Sequence, residues 1–212
     1  MTTRTLARRF ALVAVTATAA FVLVACGGDG GHSGDGAAHN TGHGASASPG
    51  GQAGAGAHNA QDVSFAQGMI PHHQQALEMA RLASSRASSA QVKELAAGIE
   101  KAQDPEISTM TGWLKAWGEE VPMAGMQMDH SGHSGMAGMM STEDMAALKK
   151  ATGKDFDTMF LTMMVDHHKG AVEMATAEKT KGEYGPATGM ANDIVTAQNA
   201  EIKEMNRLLG KS

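Results

Sequence analysis

The chain has 212 residues, of which 17 are Lys or Arg, 22 Asp or Glu, 10 His, 17 Met, 26 Gly and one Cys. Loss of an N-terminal signal carrying Arg4, Arg8 and Arg9 leaves 14 basic against 22 acidic groups, a net −8 that excludes a nucleic-acid binder, which needs a basic face. An aromatic content of 4% argues against a β-sandwich or barrel, and one Cys excludes an internal disulfide framework and a Cys-based zinc knuckle, leaving Met, His, Asp and Glu as metal ligands.

Residues 1–25 read as an export signal: three Arg, then an apolar run over 10–25 that is too short and too rich in small residues for a comfortable membrane span. The run closes with Leu23-Val24-Ala25-Cys26 followed by Gly27-Gly28, which resembles the bacterial lipobox, in which the Cys is acylated and becomes the mature N-terminus. The alternative is a plain secretory signal with a chance Cys. The only Cys of the chain standing at the end of the apolar run favours acylation at Cys26. Arg8-Arg9-Phe10 hints at twin-arginine export, but the rest of that pattern is missing. The expected address is extracytoplasmic, on the cell membrane through a lipid anchor alone.

Residues 26–60 form a Gly/Ala/Ser-rich tether with no apolar side chain larger than Ala after Cys26, and such a segment should stay flexible. Its His32, His39, His43 and His58 read as solvated spacer rather than as ligands. The folded domain spans 61–210. Asp62 is a plausible N-cap for a helix whose stripe runs Phe65, Met69, His72, Ala76, Met79, with Pro71 expected to kink it. A turn over 84–89 leads to a second stripe through Val92, Ala96, Ile99, Gln103, Glu106, Met110, Trp113 and Trp117, where Pro105 offers another kink. The loop over 118–141 is rich in Gly, Met and His. A short helix is predicted over 142–151, capped by Ser141 with Asp144 as in a capping box and stopped by Gly153. Asp155 is a candidate cap for the next long helix, with the stripe Phe160, Met164, His167, Ala171, Met174. A turn over 182–186 precedes the last helix, through Met190, Ile194, Gln198, Glu201, Met205 and Leu208.

The two helix pairs are one unit repeated at an offset of 95 without gaps. Asp62, Phe65, Met69, His72, His73, Ala76, Glu78, Met79 and Ala80 recur as Asp157, Phe160, Met164, His167, His168, Ala171, Glu173, Met174 and Ala175. Ile99, Gln103, Glu106, Ile107 and Met110 recur as Ile194, Gln198, Glu201, Ile202 and Met205. The fold expected is therefore all-α: an antiparallel four-helix bundle of two repeated hairpins. In an antiparallel hairpin, facing residues share a constant index sum. Met69 with Glu106 and His72 with Gln103 share one that puts the turn within 84–89, and Met164 with Glu201 and His167 with Gln198 share one that puts it at Gly182. Each hairpin should then hold a polar layer, and the two layers meet if the hairpins pair about a pseudo-two-fold axis.

Three accounts of these layers compete. One is structural: His, Gln and Glu close a hydrogen-bonded network that only fixes the bundle's register. The second is metal. Met69 lies i, i+3 to His72 and i, i+4 to His73, so thioether and imidazole converge on one face, a soft set that suits Cu(I) or Ag(I). The same donors crowd the loop, where Met123, Met126, Met128, His130, His133, Met136, Met139 and Met140 occupy 18 residues of Gly/Ser-rich chain with no core to fill. The third is a carboxylate-bridged di-iron enzyme, from which the chain departs: Met69 and Met164 stand where Glu is wanted, and Gln103-x-x-Glu106 replaces Glu-x-x-His. No phosphate loop, nucleophile elbow, Cys nucleophile or His-Glu-x-x-His is present, so no enzyme is expected.

Met69-Ile70-Pro71-His72-His73-Gln74-Gln75-Ala76 with Glu78-Met79-Ala80, then Gln103 and Glu106-Ile107, then the second copy around Asp166-His167-His168, is similar to the bacterial family called domain of unknown function 305. The likeness covers roughly residues 61–210. It implies a ferritin-like four-helix bundle, often exported, and some members are copper-binding proteins that sequester the ion outside the cytoplasm. Carried over position by position, it implies Met69, His72, His73, Met79, Met164, His167, His168 and Met174 as ligands, with Gln103, Glu106, Gln198 and Glu201 supporting them. The expectation is a Cu(I)- and Ag(I)-binding lipoprotein that buffers the ion or hands it on. Its candidate partners are a protein that receives the ion and a second copy of the chain.

Overall fold

The computed structural model describes residues 56–123 and 136–211. Cys26, His32, His39, His43, Met126, Met128, His130 and His133 lie outside them. The described elements are all helical: α1 (Ala60–Arg86), α2 (Ala90–Trp117), the short α3 (Thr142–Lys150), α4 (Gly153–Lys181) and α5 (Gly185–Leu208). α1 packs on α2 and α4 on α5, and α1 and α4 join the two hairpins. Ala66, Ala76, Ala80, Ala171 and Ala175 are buried, and small residues let helix backbones approach closely. The large buried side chains include Phe65, Phe156, Phe160, Ile99, Ile194 and Leu114, together with Met69, Met110, Met164 and Met205. Among the described residues no helix is long and apolar enough to cross a membrane.

Several helix ends differ from expectation. Asn59, not Asp62, caps α1; Asp62 is the third helical residue and closes a capping box by accepting from Asn59 N at 2.7 Å. Ser141 and Asp144 do form the capping box of α3. That helix ends in extended backbone at Ala151 rather than at Gly153, which opens α4 with φ +65°. Thr152, not Asp155, holds the N-cap position of α4, without a side-chain hydrogen bond. Pro71 and Pro105 lie inside unbroken helices. The end of the expected tether is built into the fold. His58 stacks on Trp117 at 4.4 Å between ring centroids, and Trp117 meets Tyr184 edge-on at 5.2 Å.

The two repeated Asp residues latch the hairpins to one another. Asp157 of α4 accepts from Ser88 N at 3.1 Å and Ser89 N at 3.0 Å, in the turn between α1 and α2. Asp62 of α1 accepts from Glu183 N at 3.1 Å and Tyr184 N at 3.0 Å, in the turn between α4 and α5. Each turn's orphan amides are thus satisfied by the opposite hairpin. The latches are unequal, because Glu178 is buried beside Asp62 while Ala83 holds the matching place in the first copy. Burial, then the hydrogen bond and charge of Asp62, push the Glu178 carboxyl up to about 8. Burial also raises Asp62, but backbone N–H groups and the Glu178 proton outweigh it and hold Asp62 below its ordinary value. Holding its proton, Glu178 can donate to the Asp62 carboxylate beside it, while the Gln61 side chain works the other way, toward the ionised form.

Candidate metal centre

His72 and His73 on α1, and His167 and His168 on α4, are at most 1% exposed. Adjacent helical residues point about 100° apart, so each pair sends one ring toward the other hairpin and one toward its own partner helix. His72 and His167 meet between the hairpins with ring centroids 3.7 Å apart. His73 Nε2 donates to Glu106 Oε2 on α2 at 2.7 Å, and His168 Nε2 to Glu201 Oε2 on α5 at 2.6 Å. One polar layer therefore crosses the bundle from Glu106 to Glu201.

The register corrects the expected pairing, in which Glu106 faced Met69 and Glu201 faced Met164. The turns sit where expected, over 87–89 and 182–184. Side chains lean toward their own helix N-terminus, however, so in an antiparallel pair contact moves to residues of higher index on both helices. Glu106 thus reaches His73, and Glu201 reaches His168. Gln103 and Gln198 are buried, each with an unpartnered Oε1, and make no hydrogen bond to His72 or His167.

The chemistry of the layer follows from its protonation. Burial, then the charge of His73, push His72 down to about 3 against a hydrogen bond to the Ala137 carbonyl that works the other way. Burial, then the charges of His72 and His168, hold His167 well below the ordinary imidazole value. Both rings are neutral near pH 7. His72 Nε2 donates to Ala137 O at 3.3 Å, which leaves its Nδ1 as a bare lone pair. The Nδ1 atoms of His73 and His168, whose Nε2 atoms face carboxylates, also have no hydrogen-bond partner, and neither has His167 Nε2. Each such buried nitrogen costs about 1–3 kcal/mol if nothing occupies it. A carboxylate that orients an imidazole also raises its basicity toward a metal. Met69 and Met164 are fully buried on the same stripes, one turn before His73 and His168. Among the described residues no group of three or more His, Cys, Asp or Glu is placed to hold a metal ion.

The end of the Met-rich loop lies across this layer as a strap. Gln75 clamps Met140 from both sides, accepting from its N at 2.7 Å and donating to its O at 3.0 Å. Ala137 O accepts a hydrogen bond from His72 Nε2. Gly170 makes this approach possible, since a Cβ there would stand 1.8 Å from Ala137 O. Gln75, Ala137 and Gly170 were absent from the sequence-derived site. The signal was available: Gln75 and Gly170 are repeat equivalents that disagree, and the strap touches both.

The remaining candidates are dispersed. Met79 is buried among Ala76, Ala80 and Ala83. Met174 is half-buried, Met123 is 61% exposed past the end of α2, and Met136 is 36% exposed. Met139 and Met140 are half-buried, and Met140 packs against the cluster holding Met145 and Leu148. The loop therefore does have core to fill at its C-terminal end.

The family model described as Domain of unknown function (DUF305) matches residues 62–209. A crystal structure of a DUF305 protein from Streptomyces coelicolor, described as secreted, is 32% identical, with TM-score 0.64, covering 71% of this chain and 93% of that one. CopM in its Cu(II)-bound form is 36% identical, with TM-score 0.60, over 69% of this chain and 94% of that one. CopM in its Cu(I)-bound form is 33% identical, with TM-score 0.57 and the same coverage. Among curated proteins nothing matches the chain.

Proposed function

The chain belongs to the DUF305 family, and on that premise we propose that it binds Cu(I), and Ag(I) in the same way, outside the cytoplasm. The observation that carries this reading is the set of four buried imidazoles, each with an unpartnered ring nitrogen, and two of them backed by carboxylates. A purely structural network would be expected to close on itself; here the nitrogens stay unpartnered, and Met69 and Met164, one helical turn before His73 and His168, are buried on the same stripes. CopM, similar over most of the folded domain, has been solved with Cu(I), Cu(II) and Ag bound.

In this reading His72, His73, His167, His168, Met69 and Met164 supply nitrogen and sulfur, and Glu106 and Glu201 hold two of the rings. Soft neutral donors favour a polarisable monovalent ion over a hard divalent one. No turnover is required: the protein buffers the ion or passes it to another protein. Acylation at Cys26 would keep this activity at the membrane surface. The test is a competition titration of the full chain with Cu(I), Ag(I), Cu(II), Zn(II) and Fe(II). Tightest retention of Cu(I) and Ag(I) is expected; preference for Fe(II), or uptake of none of the ions, would overturn the proposal.

A further inference from the structure

The repeat sets Met163 at the position of Gly68, and Met79 at that of Met174. A Met side chain on one side of the α1–α4 contact is therefore replaced on the other by nothing larger than hydrogen. The strap fills the difference. A Cβ built on Gly68 would lie 3.6 Å from Met174 Sδ and 3.7 Å from Met136 Sδ, so both sulfurs border the space that Gly68 leaves open. Neither is sealed away: Met136 is 36% exposed and Met174 half-buried. The imidazoles, by contrast, are at most 1% exposed beneath the strap.

We infer that Met136 and Met174, meeting over Gly68, form a two-thioether capture site for a soft monovalent cation, distinct from the buried imidazole layer. The inference rests on the proposed soft-ion binding and adds where the ion first lands. Thioethers are neutral and weakly hydrated, so placing two at one solvent-reachable gap costs little, and they prefer polarisable cations. Location supports the role. Gly68 precedes His72 by one helical turn on the same face of α1. Met136 is joined directly to Ala137, whose carbonyl occupies His72 Nε2. An ion held by Met136 therefore sits on the segment that must lift before the imidazoles can be reached.

Ag(I), which is diamagnetic, is the probe, titrated into the full-length protein carrying ¹³C-methyl Met and followed by NMR. The Met136 and Met174 methyl resonances should shift together in the first equivalent. Met136→Leu and Met174→Leu keep volume and apolarity, and each should weaken the first binding event at least about tenfold. Gly68→Ala should weaken it too, although Ala is the better helix former, because its methyl would touch both sulfurs and take up the open space they border. Met163→Leu should leave it unchanged. If both Leu variants at 136 and 174 take the first Ag(I) as the wild type does, while His72→Ala with His167→Ala loses it, the capture site is refuted and soft-ion binding stands. If the wild type takes no Ag(I), both are refuted.

Discussion

Glu178→Gln should remove one limb of the protein's pH–stability profile. Native Glu178 keeps its proton to about 8, whereas an unfolded Glu releases it near 4.5. Between those values the native state holds a proton that the unfolded state lacks, so stability falls as pH rises. The slope is about 1.4 kcal/mol per pH unit, with a ceiling of about 5 kcal/mol across the window. Three other groups act in the opposite sense. Asp62, held low, loses its contribution as pH drops below 3.8. His72 and His167, held neutral, lose theirs as pH falls below 6.5, because the unfolded chain then takes up their protons. The raw curve therefore mixes rising and falling limbs, and the difference between wild type and Glu178→Gln isolates the carboxyl. Gln can still donate to Asp62 but cannot ionise. Urea unfolding in metal-free buffer, followed by helical circular dichroism from about pH 5 to about pH 9, gives that difference. The variant should gain on the wild type with each step up in pH until about 8 and then level off. A difference that stays constant over the range refutes a shared proton between Glu178 and Asp62.

Three further outcomes follow from the geometry. Glu106→Gln with Glu201→Gln should weaken Cu(I) binding about 10- to 100-fold by loosening two imidazoles. Melting temperature should move little, since each carboxylate side chain is 24% exposed; competition titration and calorimetry separate the two effects. Gly170→Ala improves helix propensity, yet it should lower the melting temperature and speed hydrogen exchange at the Met140 amide, because its Cβ collides with Ala137 O. Asp157→Ala should cost about 1–3 kcal/mol of unfolding free energy by orphaning the Ser88 and Ser89 amides, read by urea titration.

The architecture was legible because the sequence states it twice. Two copies at one offset mark the inward stripes of α1, α2, α4 and α5, and the index sums locate both turns. They fail at side-chain resolution, because an index sum describes backbone levels, whereas His73 and Glu106 meet through side chains that both lean toward their helix N-termini. Asp62 was misread for a related reason: an acidic residue at the start of a stripe suits the N-cap and the third helical position alike, and only Asn59 separates them. The strap was hidden because residues 136–140 have no period to follow. It is nevertheless recorded where the copies disagree, at Gln75 against Gly170 and at Gly68 against Met163. Glu178 gave no sign of burial, lying in a polar run with an Ala as its counterpart.

The crossed carboxylates have a bearing on how such a molecule can be assembled. A solitary hairpin of this type carries its acceptor on one limb and its needy amides at the far bend, where that acceptor cannot reach. It becomes complete only against a second hairpin offering the reciprocal arrangement, so mutual completion is a property of the unit itself. Once both halves share a single chain, completion no longer depends on concentration. Symmetry then ceases to be obligatory, and one half is free to carry a glycine where the other keeps a methionine.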